Sequence, residues 1–218
     1  IMFMILNISK GFDLYDRAVR NGEWRSSSII QMQNNGNFEL YNKKILIVGF
    51  GRIGRKLIKR CLGFEMKVYV FDPFVDKKTI ESFGGIKIDT LEEGLKGTDI
   101  LSLSVPLTEK TKNMINMKNI KIMKKNAIII NTSRGKVINE KDLNDALNEG
   151  LIYGAGLDVF EKEPLDSSSP LIKNKKVILS PHSATFTKEC TVNMGTQTVQ
   201  NVIDFFENNL NELMVVKL

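Results

Sequence analysis

Lys44-Ile-Leu-Ile-Val-Gly49-Phe-Gly51-Arg-Ile-Gly54-Arg-Lys-Leu-Ile-Lys-Arg-Cys61 is the stretch whose reading settles the fold class. Apolar residues run unbroken from Ile45 to Val48, the pattern of a strand buried on both faces. Three glycines in GxGxxG spacing follow, and then Ile53, Leu57, Ile58 and Cys61 recur at helical intervals. GxGxxG alone is a weak signal, because short glycine patterns arise by chance. Here it joins a strand to a helix, and Asp72 closes the next apolar run 18 residues after Gly54, which is the fingerprint of a dinucleotide-binding βαβ unit.

Each position has a physical reason. Gly49 permits the sharp turn, Gly51 lets the backbone approach a pyrophosphate, and Gly54 lets helix and strand pack closely. Exposed amides at the helix start then meet the phosphate charge. Asp72 is placed to accept hydrogen bonds from both hydroxyls of the adenosine ribose and to repel a 2′-phosphate, which favours NAD over NADP. Lys77 and Lys78 follow within a few residues; facing a phosphate they would soften that preference, whereas a solvated turn is their plainer role.

Further apolar runs at 67–71, 100–105, 127–130, 152–159 and 177–179 alternate with helix-compatible segments. Such alternation predicts an α/β protein with a doubly wound, Rossmann-like parallel sheet covered by helices on both faces. One helix is well signposted: Asn139 caps it, Glu140 and Asp142 suit the dipole of its first turn, Leu143, Ala146 and Leu147 form a buried stripe, and Gly150 ends it. A longer one runs from about 187 to 209, where Val192, Gly195, Val199, Val202, Ile203, Phe206 and Leu210 lie along one face, a stripe that packing explains. Residues 1–20 read as a helix broken near Gly11 and ended by Asn21-Gly22. The polar stretch 22–42 lacks periodicity and reads as an arm or an exposed loop.

Composition narrows the chemistry. With 218 residues, 42% hydrophobic and 26% charged, the chain has room for a substantial core. One histidine, His182, and two cysteines, Cys61 and Cys190, cannot supply a zinc module, so no metal site is expected. Sparse cysteines fit free thiols in a reducing cytoplasmic protein better than a disulfide framework. Cys61 falls on a helix stripe and reads as core, while Cys190 follows His182 closely enough to line a cleft, with packing the plainer role. The net charge is +6. Its lysines are scattered rather than clustered with aromatics, so a nucleic-acid groove is not expected. The apolar opening 1–6 is too short for a signal-peptide core or a membrane span.

Three later segments, Asn131-Thr-Ser-Arg-Gly135, Gly154-Ala-Gly-Leu-Asp-Val-Phe-Glu-Lys-Glu-Pro164 and Ser180-Pro-His-Ser183, follow the GxGxxG unit in order. Together with it they resemble the D-isomer-specific 2-hydroxyacid dehydrogenases, the family of phosphoglycerate dehydrogenase and glyoxylate/hydroxypyruvate reductase. The resemblance runs over nearly the whole chain. It implies an NAD-dependent enzyme moving a hydride between nicotinamide and a 2-hydroxy or 2-keto acid, with Arg134, Glu163 and His182 as catalytic trio. Arg134 offers a planar fork of donors to a carboxylate and a keto oxygen, which a lysine point charge fills less well. His182 would protonate the forming alkoxide and recover the proton in the reverse direction. A neighbouring Glu163 would favour the imidazolium and fix the ring.

Each residue also has a bland reading: a lone histidine is usually a surface or satisfied core residue, and Arg134 could be a surface charge. Arg134 nevertheless follows the run 127–130, and ligands of open α/β sheets sit beyond the carboxyl ends of strands. Glu161 competes with Glu163; the family pattern puts the acid immediately before the proline, so Glu163 is chosen and Glu161 read as solvated. The resemblance further implies cofactor contacts from Arg52 and Ile53 to the phosphates, from Val105 and Pro106 after the fourth strand, from Thr132 near the nicotinamide ribose, and from Asp158 to the carboxamide. It places the lone tryptophan, Trp24, at a subunit contact of a homodimer.

The implied domain organisation is an NAD-binding domain over 1–183, including an amino-terminal helix and dimerisation arm over about 1–42, and a carboxy-terminal helical segment, 184–218, that returns to the substrate domain. Relatives carry about a hundred further residues ahead of the point matching Ile1, forming most of that substrate domain. Asn42 stands where relatives have glycine and tolerates the same left-handed turn. Two alternatives stay open, a non-catalytic NAD-binding, dimerising module of the corepressor branch and a phosphite-oxidising enzyme. Formate-oxidising relatives carry glutamine at the position of Glu163, which argues against that chemistry.

Overall fold

Alternate residues of the first strand face opposite ways, and that alternation builds the molecule's two core layers. The structure, a computed structural model, describes residues 1–24 and 36–210. Among these, β1 (Lys44–Val48), β2 (Lys67–Phe71), β3 (Ile86–Ile88), β4 (Ile100–Leu103), β5 (Ile128–Asn131), β6 (Gly154–Leu157) and β7 (Val177–Leu179) form one parallel sheet. Its order is β3-β2-β1-β4-β5-β6-β7, so the chain winds outward from β1 in one direction and then restarts on its other side at β4. In register, Ile47 pairs with Val70 of β2 and Ser102 of β4.

The helices between are α1 (Met2–Lys10), α2 (Phe12–Arg20), α3 (Arg52–Gly63), α4 (Lys77–Ser82), α5 (Leu91–Leu95), α6 (Met117–Ile120), α7 (Glu140–Asn148), α8 (Pro170–Lys173) and α9 (Lys188–Phe206). Ile45, Ile47, Ile100, Ile128 and Ile130 pack against Met4, Ile5 and Ile8 of α1, Leu57, Ile58 and Cys61 of α3, and Ile80 of α4. On the opposite face Leu46, Val48, Leu101, Leu103 and Ile129 meet Ile120, Leu143, Ala146, Leu147 and Leu171. Each fully buried aliphatic side chain contributes roughly 1.5–3 kcal/mol of transfer free energy. Cys61 is core, as its place on the helix stripe predicts, and burial pushes its thiol up to about 12.

The predicted parallel sheet is present, with shorter strands than the apolar runs suggested at 100–105 and 152–159. The run reading has no counterpart for β3: it is three residues long, follows Gly84-Gly85 and sits at the sheet edge, so it shows no extended apolar stretch. The predicted break at Gly11 is real, with φ of 62° separating α1 from α2. α1 lies close on β6 because the strand presents Gly154 and Gly156; a Cβ at Gly156 would come within 2.9 Å of Met4 Cβ. Part of the supposed exposed loop is instead docked. Phe38 N donates to Ser9 O at 2.9 Å, Asn37 Nδ2 donates to Lys10 O at 2.9 Å, and Leu40 is buried. The remainder of that arm, 25–35, lies outside the described residues.

The chain divides into two compact units, Ile1–Pro181, which holds the sheet, and His182–Leu218, which holds α9. Thr187 caps α9 by accepting from Cys190 N at 3.1 Å. Val192, Gly195, Val199, Val202, Ile203 and Phe206 of the predicted stripe lie in this helix, and Leu210 lies beyond its end. No helix among the described residues is long and apolar enough to cross a membrane.

Candidate active site

In a parallel sheet every strand delivers its following loop to the same edge, and the predicted site residues of the first unit lie in the loops after β1, β2, β4, β5 and β6. The glycine turn sits where the winding reverses, between β1 and β4, the place open α/β sheets reserve for ligands. Gly49 N donates to Phe71 O at 2.9 Å and Ser104 N to Val48 O at 2.8 Å, which fixes the turn between the ends of β2 and β4. Gly49 has φ of 97°, and a Cβ there would lie 2.5 Å from Ser104 O. At Gly54 a Cβ would come within 2.3 Å of Gly49 O. At Gly51 it would meet nothing within 4 Å. The turn is thus closed against side chains at its ends and open at its middle glycine, which fits a pyrophosphate drawn up to the start of α3.

Arg52 and Ile53 form the first turn of α3, and Ile53 leaves 57% of its surface exposed beside the glycine turn. Asp72 closes β2 and holds the turn from the other side: Oδ2 accepts from Phe50 N at 2.7 Å and Oδ1 from Phe74 N at 2.9 Å. Each carboxylate oxygen retains acceptor capacity for a ribose hydroxyl. Lys77 is solvated but opens α4 instead of lying in a turn, and it forms a long, exposed contact with Glu81 one helical turn on at 3.7 Å. Val105 and Pro106 follow β4 after Ser104, and Thr111 Oγ1 donates to Pro106 O at 2.6 Å.

Beyond β5 the buried Asn131 builds the turn that presents Arg134. Its Oδ1 accepts from Ser133 N at 3.0 Å and Ser133 Oγ at 2.8 Å, and its Nδ2 donates to Arg134 O at 2.9 Å. Arg134 itself is exposed, with Nη1 donating to Ser133 O at 2.6 Å, and Thr132 lies within the same turn. Beyond β6, Asp158 is buried; its N donates to Asn131 O at 3.0 Å and Oδ1 accepts from Ser180 Oγ at 2.5 Å, so it ties together the ends of β5, β6 and β7. Glu163 follows, with Oε1 accepting from Phe160 N at 3.0 Å. His182 is the first residue of the second unit, three residues along the chain from the end of β7, with φ of 51° in the left-handed region that non-glycine residues seldom occupy.

Three residues without an assigned role in the motifs shape this edge. Asn131 is one. Gly135 is another: a Cβ there would fall 1.8 Å from Phe160 C, so the Arg134 turn rests directly on the backbone of the Glu163 loop. The third is Glu140, whose N donates to Glu161 Oε1 at 2.8 Å while its Oε1 accepts from Glu161 N. Glu161 is exposed, as expected, but it is not merely solvated; its carboxylate caps a helix amide. Desolvation first, and the charges of Glu161 and Glu163 after it, raise the Glu140 carboxyl above the usual range against the opposing pull of the Glu161 amide.

Comparison with known proteins fits this geometry. Residues 2–184 match the family model described as D-isomer specific 2-hydroxyacid dehydrogenase, NAD binding domain. A glyoxylate reductase of Korarchaeum cryptofilum is 40% identical over 190 residues, covering 87% of this chain and 56% of that protein. A D-3-phosphoglycerate dehydrogenase of Methanocaldococcus jannaschii is 36% identical over 214 residues, covering 98% of this chain and 40% of that protein. The chain therefore spans roughly half the length of these relatives. Among solved structures, D-lactate dehydrogenase from Aquifex aeolicus, complexed with NAD and lactic acid, superposes with a TM-score of 0.83 at 30% identity, covering 98% of this chain and 66% of that one.

Proposed function

The chain belongs to the D-isomer specific 2-hydroxyacid dehydrogenase family and carries its NAD-binding domain, and on that premise we propose that it serves an NAD-dependent oxidoreductase acting on a D-2-hydroxy acid or the matching 2-keto acid. The substrate class is of the glyoxylate, hydroxypyruvate or phosphoglycerate type. What carries the reading is one observation: the Arg134 turn and the Glu163 loop rest backbone against backbone on the sheet edge that also bears the open glycine turn and Asp72.

NAD, when bound in its reduced form, supplies the hydride. Gly49, Gly51, Arg52, Ile53 and Gly54 would receive its phosphates, Asp72 would hold the adenosine ribose, Val105 and Pro106 would contact the cofactor after β4, Thr132 would lie near the nicotinamide ribose and Asp158 would meet the carboxamide. Arg134 grips the substrate carboxylate and polarises the keto oxygen through its planar donor fork. As the carbonyl carbon gains the hydride, His182 passes one proton to the oxygen, so keto acid, hydride and proton together give the hydroxy acid; oxidation reverses each transfer. Glu163 holds the imidazole ring and balances its charge.

In this reading 1–183 form the nucleotide domain and 184–218 lead back to a substrate domain, with 211–218 outside the described residues. The protein works in the cytoplasm as a homodimer, a state supported by Trp24, which stands 67% exposed on the single chain. The test is steady-state NADH oxidation with glyoxylate and hydroxypyruvate, by this chain joined to an amino-terminal substrate segment of a relative. His182→Ala should lower kcat by about 10²–10⁴-fold. Equal rates in variant and parent would remove His182 from its role, and no turnover with any 2-keto acid would overturn the activity.

A further inference from the structure

We propose that Glu140 is a positioning residue: with Glu161 and Gly135 it clamps the loop that carries Glu163 onto the turn that carries Arg134. The inference rests on the reading of those two residues given above. Loops after neighbouring strands have no intrinsic reason to keep a fixed distance, since each is anchored only at its own strand. Here three contacts join them. The absent side chain of Gly135 lets its backbone touch Phe160 and Glu161, with a Cβ position 1.8 Å from Phe160 C and 2.4 Å from Glu161 N.

The other two contacts are the reciprocal pair. Glu140 N donates to Glu161 Oε1 at 2.8 Å, and Glu161 N donates back to Glu140 Oε1. Two backbone amides, one at the start of α7 and one in the loop, are thereby each satisfied by the other residue's carboxylate, in the manner of a capping box closed across 21 positions of sequence. Glu163 stands two residues beyond Glu161, and its Oε1 folds back to Phe160 N at 3.0 Å. The clamp thus holds the segment that leads directly into Glu163.

The arrangement costs something, because Glu140 sits half-buried among Glu161 and Glu163, like charges that disfavour its ionised form. The acceptor geometry of this side chain and its charge are separated by two substitutions. Glu140→Gln keeps an acceptor oxygen for Glu161 N, and Glu140→Ala removes it.

The experiment measures both variants, with Glu161→Ala as a second way of opening the clamp, in the active fusion described above. Glu140→Ala should lower kcat about tenfold or more, since displacement of a reacting group by an ångström is that costly. KM for NADH should stay within about twofold and Glu140→Gln should restore most of the rate. Hydrogen exchange in the peptide spanning 158–164 should quicken about tenfold in Glu140→Ala and Glu161→Ala but not in Glu140→Gln. Unchanged exchange in both alanine variants overturns the clamp, and quickened exchange with unchanged kcat overturns its positioning role. Absence of turnover in the parent fusion would instead sink the proposed activity, while the exchange measurement would still decide whether the clamp exists.

Discussion

Gly51 and Gly54 stand in the same turn, yet a methyl group added to each would meet opposite surroundings. At Gly54 the new carbon strikes Gly49 O at 2.3 Å, backbone that cannot move without dismantling the turn. Gly54→Ala should therefore destabilise the fold by about 1–3 kcal/mol, read as a lowered urea midpoint. At Gly51 nothing lies within 4 Å, so Gly51→Ala should leave stability within about 0.5 kcal/mol of the parent. The same methyl group occupies the approach of the pyrophosphate, and calorimetry should find NADH binding weakened about tenfold or more. A destabilised Gly51→Ala, or one binding NADH normally, would refute this division of labour. The sequence announces both glycines because spacing within one turn is local. Asn131 and Gly135 bracket the Arg134 segment and Glu140 suits its helix start, but what each of them touches was not announced: Asn131 acts through a buried amide that serves three partner atoms, and the other two act through a loop more than twenty positions away in sequence. Neither kind of contact leaves a periodicity.

At the scale of elements, α7 shows how much a helix start can carry. Asn139 Oδ1 accepts from Asp142 N at 3.0 Å, the cap that the sequence predicts, and the next residue joins the helix to the Glu163 loop. The raised Glu140 carboxyl makes this junction sensitive to pH. A carboxyl raised on folding binds more protons in the native state than in the unfolded one, so stability falls as pH rises from the ordinary value of 4.5 through the raised one. Below that window Glu140 is neutral in both states and the cost vanishes. Burial is the larger cause, and the charges of Glu161 and Glu163 add to it; on its own helix Lys141 is paired with Asp145 at 2.7 Å and Asp142 accepts from Met117 N at 2.9 Å. Glu140→Gln should consequently raise the urea midpoint near neutral pH and leave it unchanged near pH 4, and a gain of equal size at both would show that charge is not the cause. Capped helices and long buried strands were legible because their signals lie within each segment. β3 was not, because a three-residue edge strand is defined by its neighbour β2 rather than by its own composition.

Across the whole molecule the parallel sheet separates two edges that a ligand could use. A cavity of about 780 Å³ opens at the amino-terminal edge, lined by Tyr15, Asn37, Asn126, Tyr153, Lys176 and Ile178. The glycine turn and Asp72 lie at the other. The chemistry of a dinucleotide calls for free amides at a helix start, close backbone approach and a ribose acceptor, and among the described residues these converge at the carboxyl edge. NADH should therefore slow hydrogen exchange in peptides spanning 49–54, 72–74 and 104–106 while leaving 125–127 and 150–153 unaffected. Because the ligand binds the folded chain, NADH at about a hundred times its dissociation constant should stabilise it by about 2.7 kcal/mol in urea. Asp72→Arg loses the ribose acceptor and the bond to Phe50 N at 2.7 Å together, so most of that gain should disappear with it. Protection confined to 125–127 and 150–153 would move the cofactor to the opposite edge of the sheet and with it the whole proposed mechanism.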